Sequence, residues 1–259
     1  MTQHKLFCGD AAEVLAGFKP DSIHLTVTSP PYDNLRTYKG FTFNFEKIAH
    51  QLYRVTRPGG VVVWVVADAT IKGSETGTSF KQALYFKELG FNLHDTMIYE
   101  KAGCSMPSNR YLSAFEYMFI LSKGRPATIN FICDRKNRFT TRWGKGKKVR
   151  NRDGTFSLRP NREIKEWGRR FNIWRYANGG QGYGATDTWA HQHPATFPEA
   201  LARDHILSWS DPGAWVLDPM VGGGTTGKMA RLLDRNFVGI DISQEYIDLT
   251  EKRIMEATK

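Results

Sequence analysis

Between Trp215 and Asp241 the chain carries a pattern that few folds can satisfy. Trp215 to Leu217 reads as a short strand, and Asp218, Pro219, Met220, Val221, Gly222, Gly223, Gly224, Thr225 and Thr226 read as a turn. A helix is predicted from there to about Asp234, then a strand from Phe237 to Ile240 that ends in Asp241. Strand, glycine turn, helix, strand is a β-α-β unit, which requires a parallel sheet. Glycines let a backbone approach a ligand closely, and a helix N-terminus presents N–H groups to it. An acidic residue about 20 positions beyond such a turn is placed to accept hydrogen bonds from ribose hydroxyls. A phosphate-binding loop is the rival reading, because Gly222 to Lys228 matches its first seven positions. The eighth is Met229, so the Ser or Thr that would hold Mg²⁺ is missing.

The N-terminal third extends the alternation. Lys5 to Cys8 is a short apolar segment before Gly9 and Asp10, Ala11 to Phe18 is helix-like, and Ile23 to Thr28 is a β-branched run stopped by Pro30 and Pro31. Phe45, Ile48, Leu52 and Val55 fall at helical spacing. The turn Arg57-Pro58-Gly59-Gly60 separates them from the apolar run Val61 to Ala67, which suits a strand covered on both faces. A helix near Ser79 to Leu89 and strands near Asn92 to Glu100 and Tyr117 to Ser122 follow, and a last helix is predicted from about Pro198 to Trp209. The expectation is an α/β fold: a mostly parallel, Rossmann-like sheet with helices on both faces.

From about Gly124 the alternation stops, and it resumes only after His191. Residues 1–124 and 191–259 are therefore expected to build one domain, with 125–190 inserted as a small lobe. Charge singles out the same stretch. From Asp134 to Arg175 there are fifteen basic and four acidic residues, so this window carries +11 in a chain whose net charge is +10. Aromatic residues (Phe139, Trp143, Phe156, Trp167, Phe171, Trp174) stand among the cations. A solvated basic face would not need one sign or these rings, whereas a polyanion partner would, because clustered Lys and Arg neutralise phosphates.

A second motif is Thr28-Ser29-Pro30-Pro31-Tyr32, where the strand from Ile23 ends. Two prolines make a stiff exit with no N–H on either residue, leaving carbonyl acceptors at the carboxyl edge of the sheet beside a tyrosine ring. A planar amino group could donate to those acceptors while its ring stacks on Tyr32; a plain Pro-Pro turn capping a strand would use the same residues. Taken together, Ser29-Pro30-Pro31-Tyr32 and Asp218-Pro219-Met220-Val221-Gly222-Gly223-Gly224-Thr225 resemble the signatures of the S-adenosylmethionine-dependent DNA amino-methyltransferases, (D/N/S)-P-P-(Y/F/W) and D-P-F-x-G-x-G-T. Their order, catalytic motif first and cofactor motif near the C-terminus, resembles the β class. The segment His193-Pro194 to Phe197-Pro198 is similar to one that packs over the cofactor in that class, and Met220 departs from the usual Phe.

The resemblance implies S-adenosyl-L-methionine as cofactor. It makes Asp218, Pro219, Met220, Gly222, Gly224 and Thr225 cofactor-binding, with Asp218, Gly222 and Gly224 shaping the methionine pocket, and it places Asp241 at the ribose and Asp10 and Phe197 at the adenine or its neighbours. Ser29, Pro30, Pro31 and Tyr32 would be catalytic. The target would be an exocyclic amino nitrogen of a base flipped out of double-stranded DNA, with N4 of cytosine favoured over N6 of adenine. The insert is where the family keeps target recognition, and Lys145, Lys147, Lys148, Arg150 and Arg152 are the expected DNA contacts. Cytosine C5 chemistry would need a Pro-Cys nucleophile, and none of Cys8, Cys104 and Cys133 follows proline. An RNA methyltransferase and a non-catalytic nucleic-acid-binding protein remain as alternatives. His191 and His193 lack a Cys or acidic cluster, so no metal is expected. Three scattered cysteines, the absence of an apolar leader and the absence of a run long enough to span a bilayer point to the cytoplasm, with no membrane partner. Monomer and homodimer are both open.

Overall fold

The computed structural model of the chain describes residues 2–31, 43–105, 109–138, 147–158, 164–177, 186–187 and 198–257. Two compact units stand out. One comprises 1–130 and 172–259, the other 131–171.

The larger unit is built on one eight-stranded sheet. In chain order its strands are β1 (His4–Cys8), β2 (Ile23–Thr28), β3 (Thr56–Val66), β4 (Asn92–Ser105), β5 (Ser113–Ser122), β6 (Ile173–Tyr176), β7 (Trp215–Asp218) and β8 (Asn236–Asp241). They lie side by side as β1-β8-β7-β2-β3-β5-β4-β6. Every neighbouring pair is parallel except the two made by β5, which is antiparallel to both β3 and β4. The helices are α1 (Ala11–Ala16), α2 (Phe45–Val55), α3 (Thr78–Glu88), α4 (Glu199–Trp209), α5 (Thr225–Leu232) and α6 (Gln244–Glu256).

Strand β3 shows why both faces must be covered. Val61 through Val66 are all buried, and their side chains alternate between the faces. Val62, Trp64 and Val66 join the cluster formed with Leu15 of α1, Ile48 and Leu52 of α2 and Phe86 of α3. On β5, Phe119 and Leu121 belong to that cluster, so Met118 and Ile120 point the other way. There His205 of α4 meets Met118, ring nitrogen to sulfur 3.1 Å. Helices α4, α5 and α6 pack against one another in sequence on this second side. Among the described residues no helix is long and apolar enough to cross a membrane.

The strand expected at Val61 begins earlier, at Thr56, and takes in the Arg57-Pro58-Gly59-Gly60 turn. The register against β2 jumps there, from Ile23 opposite Thr56 to Leu25 opposite Val61, so the four residues form an irregularity within the strand. Gly59 carries it with a φ of +77° while its N–H donates to Lys123 O at 2.7 Å.

Ile173–Tyr176, inside the stretch 125–190, pairs in parallel with β4 as the edge strand of the main sheet, and the separate unit is 131–171. That unit contains two small antiparallel pairs, Lys148–Arg150 with Phe156–Leu158 and Arg135–Lys136 with Trp167–Gly168. Guanidinium groups lie over its rings: Arg169 over Phe131 at 3.7 Å and Arg135 over Phe171 at 4.7 Å. Both rings stay largely exposed despite these contacts, as expected of a unit too small for a core of its own.

Candidate active site

The carboxyl ends of β1, β8, β7 and β2 are neighbours, and the residues singled out from the sequence converge on that edge. Asp218 closes β7 and Asp241 closes β8. The next residue after β2 is Ser29, half-buried, followed by buried Pro30 and half-buried Pro31. The last residue of β2, Thr28, donates its hydroxyl to Asp218 Oδ1 at 2.8 Å, so the two motifs meet although 190 positions separate them in sequence. Thr226 Oγ1 adds a bond to Val27 O at 3.2 Å, tying the start of α5 to the same strand.

The glycine turn is held from inside. Asp218 Oδ1 accepts from Met220 N at 3.2 Å, and Asp241 Oδ2 accepts from Gly222 N at 2.9 Å. The other oxygen of Asp241 takes Ser243 N at 3.0 Å. Gly224 has a left-handed φ of +74°, and a Cβ there would sit 2.7 Å from Thr250 Oγ1 and 2.9 Å from Thr250 Cα. Only glycine fits that place. Pro219 and Thr225 are buried, and Met220 packs partly buried against the core. Asp10 accepts from Ala12 N at 2.9 Å and Glu13 N at 3.1 Å, capping α1, and Gly9 N bonds Asp241 O at 2.9 Å.

Burial shapes the charge. Asp218 is removed from water, which pushes its carboxyl up to about 7 against the donors Thr28, Thr226 and Met220 N; the charge of Asp241 pushes the same way. Asp241 is also raised by burial, opposed by the N–H groups of Ser243, Gly222 and Ile242. The edge therefore offers one near-neutral acid deep in the fold and one acid nearer the surface at a glycine turn. A helix opens beside them with no side chain capping it. A glycine turn leading into a helix without a side-chain cap, next to a carboxylate, suits a nucleoside such as that of S-adenosyl-L-methionine.

Lys228, at the lysine position of the phosphate-loop rival, turns elsewhere. Its ammonium donates to Glu199 Oε1 at 2.9 Å, Asp187 Oδ2 at 2.8 Å and Thr186 Oγ1 at 2.6 Å, deep in the fold. Tyr32, Phe197 and Lys145, with His191 and His193, lie outside the described residues. Lys147, Lys148, Arg150 and Arg152 are exposed on the hairpin of the smaller unit. Among the described residues no group of acidic, His and Cys side chains could hold a metal ion. Sequence reasoning placed Thr28 and Thr226 within the two motifs without giving either a role, and it did not single out Arg253. A cation on the buried stripe of α6, with Ile247, Thr250 and Ile254, was the available signal for the last.

Residues 23–252 match the sequence profile of the N6/N4 DNA methylase family. The chain belongs to that family. It is similar to the orphan methyltransferase M.BamHII of Bacillus amyloliquefaciens, 59% identical over 241 residues, which cover 90% of this chain and 89% of that protein. Among solved structures it resembles the PvuII DNA methyltransferase, described as cytosine-N4-specific, with a TM-score of 0.68 and 20% identity over 98% of this chain and 86% of that one. It also resembles M1.HpyAVI bound to S-adenosylmethionine, with a TM-score of 0.65 and 22% identity over 97% of this chain and 99% of the other. The sheet is thus the Rossmann-like sheet of a DNA methyltransferase. The enzyme transfers methyl groups from S-adenosyl-L-methionine to an exocyclic amino nitrogen of DNA, N4 of cytosine or N6 of adenine.

Proposed function

We propose that this methyltransferase modifies N4 of cytosine in double-stranded DNA, in the cytoplasm, at a site built from Ser29, Pro30, Pro31 and Tyr32. The observation that carries the reading is the bond from Thr28 to Asp218, which brings the end of β2 against the glycine turn. S-adenosyl-L-methionine supplies an electrophilic methyl group on its sulfonium. In this reading Asp218, Pro219, Met220, Gly222, Gly224 and Thr225 shape the pocket for its methionine part. Asp241 accepts from the ribose hydroxyls, and Asp10 and Phe197 border the adenine.

An exocyclic amino group is a poor nucleophile because its lone pair is delocalised into the ring. Acceptors at Ser29 and the Pro30 carbonyl bind its hydrogens, favour a pyramidal nitrogen and stabilise the positive charge that develops as it attacks. Tyr32 stacks on the flipped base in place of its former neighbours. No covalent bond to the enzyme is needed. Serine at the head of the Ser29-Pro30-Pro31-Tyr32 motif favours cytosine over adenine within the family.

Lys145, Lys147, Lys148, Arg150 and Arg152 are assigned to the DNA backbone. From 147 to 158 every residue is exposed, and four cations stand against one acid, Asp153. That acid is occupied within the turn, accepting from Thr155 N at 3.0 Å and Thr155 Oγ1 at 2.7 Å. A two-stranded ribbon of this size fits the major groove, which is about 12 Å wide.

Nucleoside mass spectrometry combined with methylation-sensitive sequencing of DNA from a host expressing the chain tests the proposal. N4-methylcytosine at one recurrent sequence is the expected result. N6-methyladenine instead would overturn the choice of base, and neither mark would overturn the activity.

A further inference from the structure

Three buried charges, Arg253, Lys228 and Glu199, and the half-buried Asp187 form a cluster against the glycine turn, and the proposed reaction leaves these charges unused. Arg253 of α6 has no exposed side-chain area. Its Nε donates to Asp187 Oδ2 at 3.0 Å and its Nη2 to Glu199 Oε1 at 2.9 Å. Its Nη1 donates to Thr225 Oγ1 at 3.1 Å and to the carbonyl of Gly223. Lys228 bridges the same two carboxylates, and Thr186 Oγ1 donates to Glu199 Oε2 at 3.2 Å. Two cations meet two anions, so the cluster is neutral as a whole.

A buried ion pair costs desolvation that its attraction roughly offsets, and packed apolar residues of similar volume often hold a fold as well or better. Stability alone is therefore a weak reason for a guanidinium at this place on α6. What it does locally is specific. Gly223 has no side chain to orient its peptide, yet the peptide that follows it is pinned at both ends. Its carbonyl is held by Arg253, and its N–H, that of Gly224, by Val221 O at 2.8 Å. The fork also holds Thr225 at the first position of α5, and through Glu199 and Asp187 it joins the turn to the two places where the chain enters and leaves 188–197.

We propose that Arg253 is a positioning residue for cofactor binding: from behind the turn, its guanidinium sets the Gly223 peptide and the Thr225 hydroxyl in the orientation that S-adenosyl-L-methionine requires, with Lys228, Glu199 and Asp187 holding the guanidinium in place. The inference rests on placing the cofactor at the Gly222–Thr225 turn. A lysine keeps the charge but presents one compact ammonium instead of a planar fork of five donors, so it cannot serve four acceptors in different directions.

The test measures S-adenosyl-L-methionine binding by calorimetry and thermal unfolding without cofactor, in the full chain, for Arg253→Lys. A second variant, Arg253→Met with Asp187→Asn, removes one charge of each sign and leaves no uncompensated ion should the lysine variant fail to fold. The expected result is a dissociation constant at least tenfold weaker, an unfolding temperature in the absence of cofactor within about 3 °C of the unmodified protein, and a loss in methylation assays that falls on KM for the cofactor rather than on kcat. Binding as tight as in the unmodified protein by either folded variant overturns the inference, as does a weakening that only follows a fall in the unfolding temperature. Asp241→Ala serves as the control. Unchanged binding by that variant would instead overturn the placement of the cofactor.

Discussion

Asp218 and His205 give the protein two opposed responses to pH, and removing one should expose the other. Burial raises the Asp218 carboxyl from 3.8 to about 7. His205 lies buried beside Trp174, ring centroids 4.7 Å apart, and burial lowers it from 6.5 to about 3 against the opposing charge of Asp204. Between about pH 4 and 6.5 the folded protein holds a proton at Asp218 that the unfolded chain has released, so this site makes stability fall as pH rises. In the same window the unfolded chain holds a proton on His205 that the folded protein excludes, so that site makes stability rise with pH. Each proton corresponds to a slope of about 1.4 kcal/mol per pH unit, and with opposite signs the two nearly cancel.

Asp218→Asn removes one titration while keeping an acceptor for the Thr28 hydroxyl. Relative to the unmodified protein, its unfolding free energy should acquire a slope of up to about +1.4 kcal/mol per pH unit, or about 2.5 kcal/mol between pH 4.5 and 6.5. Titrating groups other than Asp241, which is coupled to Asp218, are common to both proteins and drop out of the difference. Urea unfolding followed by tryptophan fluorescence at three pH values and fixed ionic strength reads this directly. His205→Gln should change the slope by a similar amount in the opposite sense. Parallel stability curves for Asp218→Asn and the unmodified protein would refute the reasoning, since they would mean that Asp218 is ionised in the fold.

Other outcomes follow from the same geometry. Gly224→Ala forces a left-handed φ on a residue with a Cβ and drives that carbon into Thr250; it should cost about 1–3 kcal/mol in urea unfolding and weaken cofactor binding in calorimetry. Reversing the charge of Lys147, Lys148, Arg150 and Arg152 should flatten the dependence of duplex DNA affinity on salt by about 0.9 in log–log slope for each phosphate that is no longer neutralised. An unchanged slope would move the DNA-binding surface elsewhere. Ser29→Ala should slow single-turnover methylation more than it weakens DNA or cofactor binding, because the proposed interaction strengthens only as charge develops on the nitrogen. With a fluorescent base at the target position, Tyr32→Ala should reduce flipping as well as rate, and Tyr32→Phe should do neither strongly.

What the sequence determined by itself was local. The strand, glycine turn, helix and strand of 215–241, the helical spacing of 45–55 and the doubly buried run of β3 are legible because periodicity and turn chemistry act over a few residues. The two motifs at the sheet edge were legible for the same reason. Tertiary structure alone decided what lies between distant segments. No local signal shows that Ile173–Tyr176, within a basic stretch, completes the edge of the main sheet, because strand pairing is a choice among partners and not a property of the strand. None shows that Thr28 reaches Asp218, or that the carboxyl so reached is raised to about 7, because a pKa follows from the water and charge removed around a group once the chain has closed over it. Lys228 makes the same point. In sequence it completes seven positions of a phosphate loop, and in the fold its ammonium is held by Glu199 and Asp187, because a buried cation goes to whichever carboxylates the packing brings within reach.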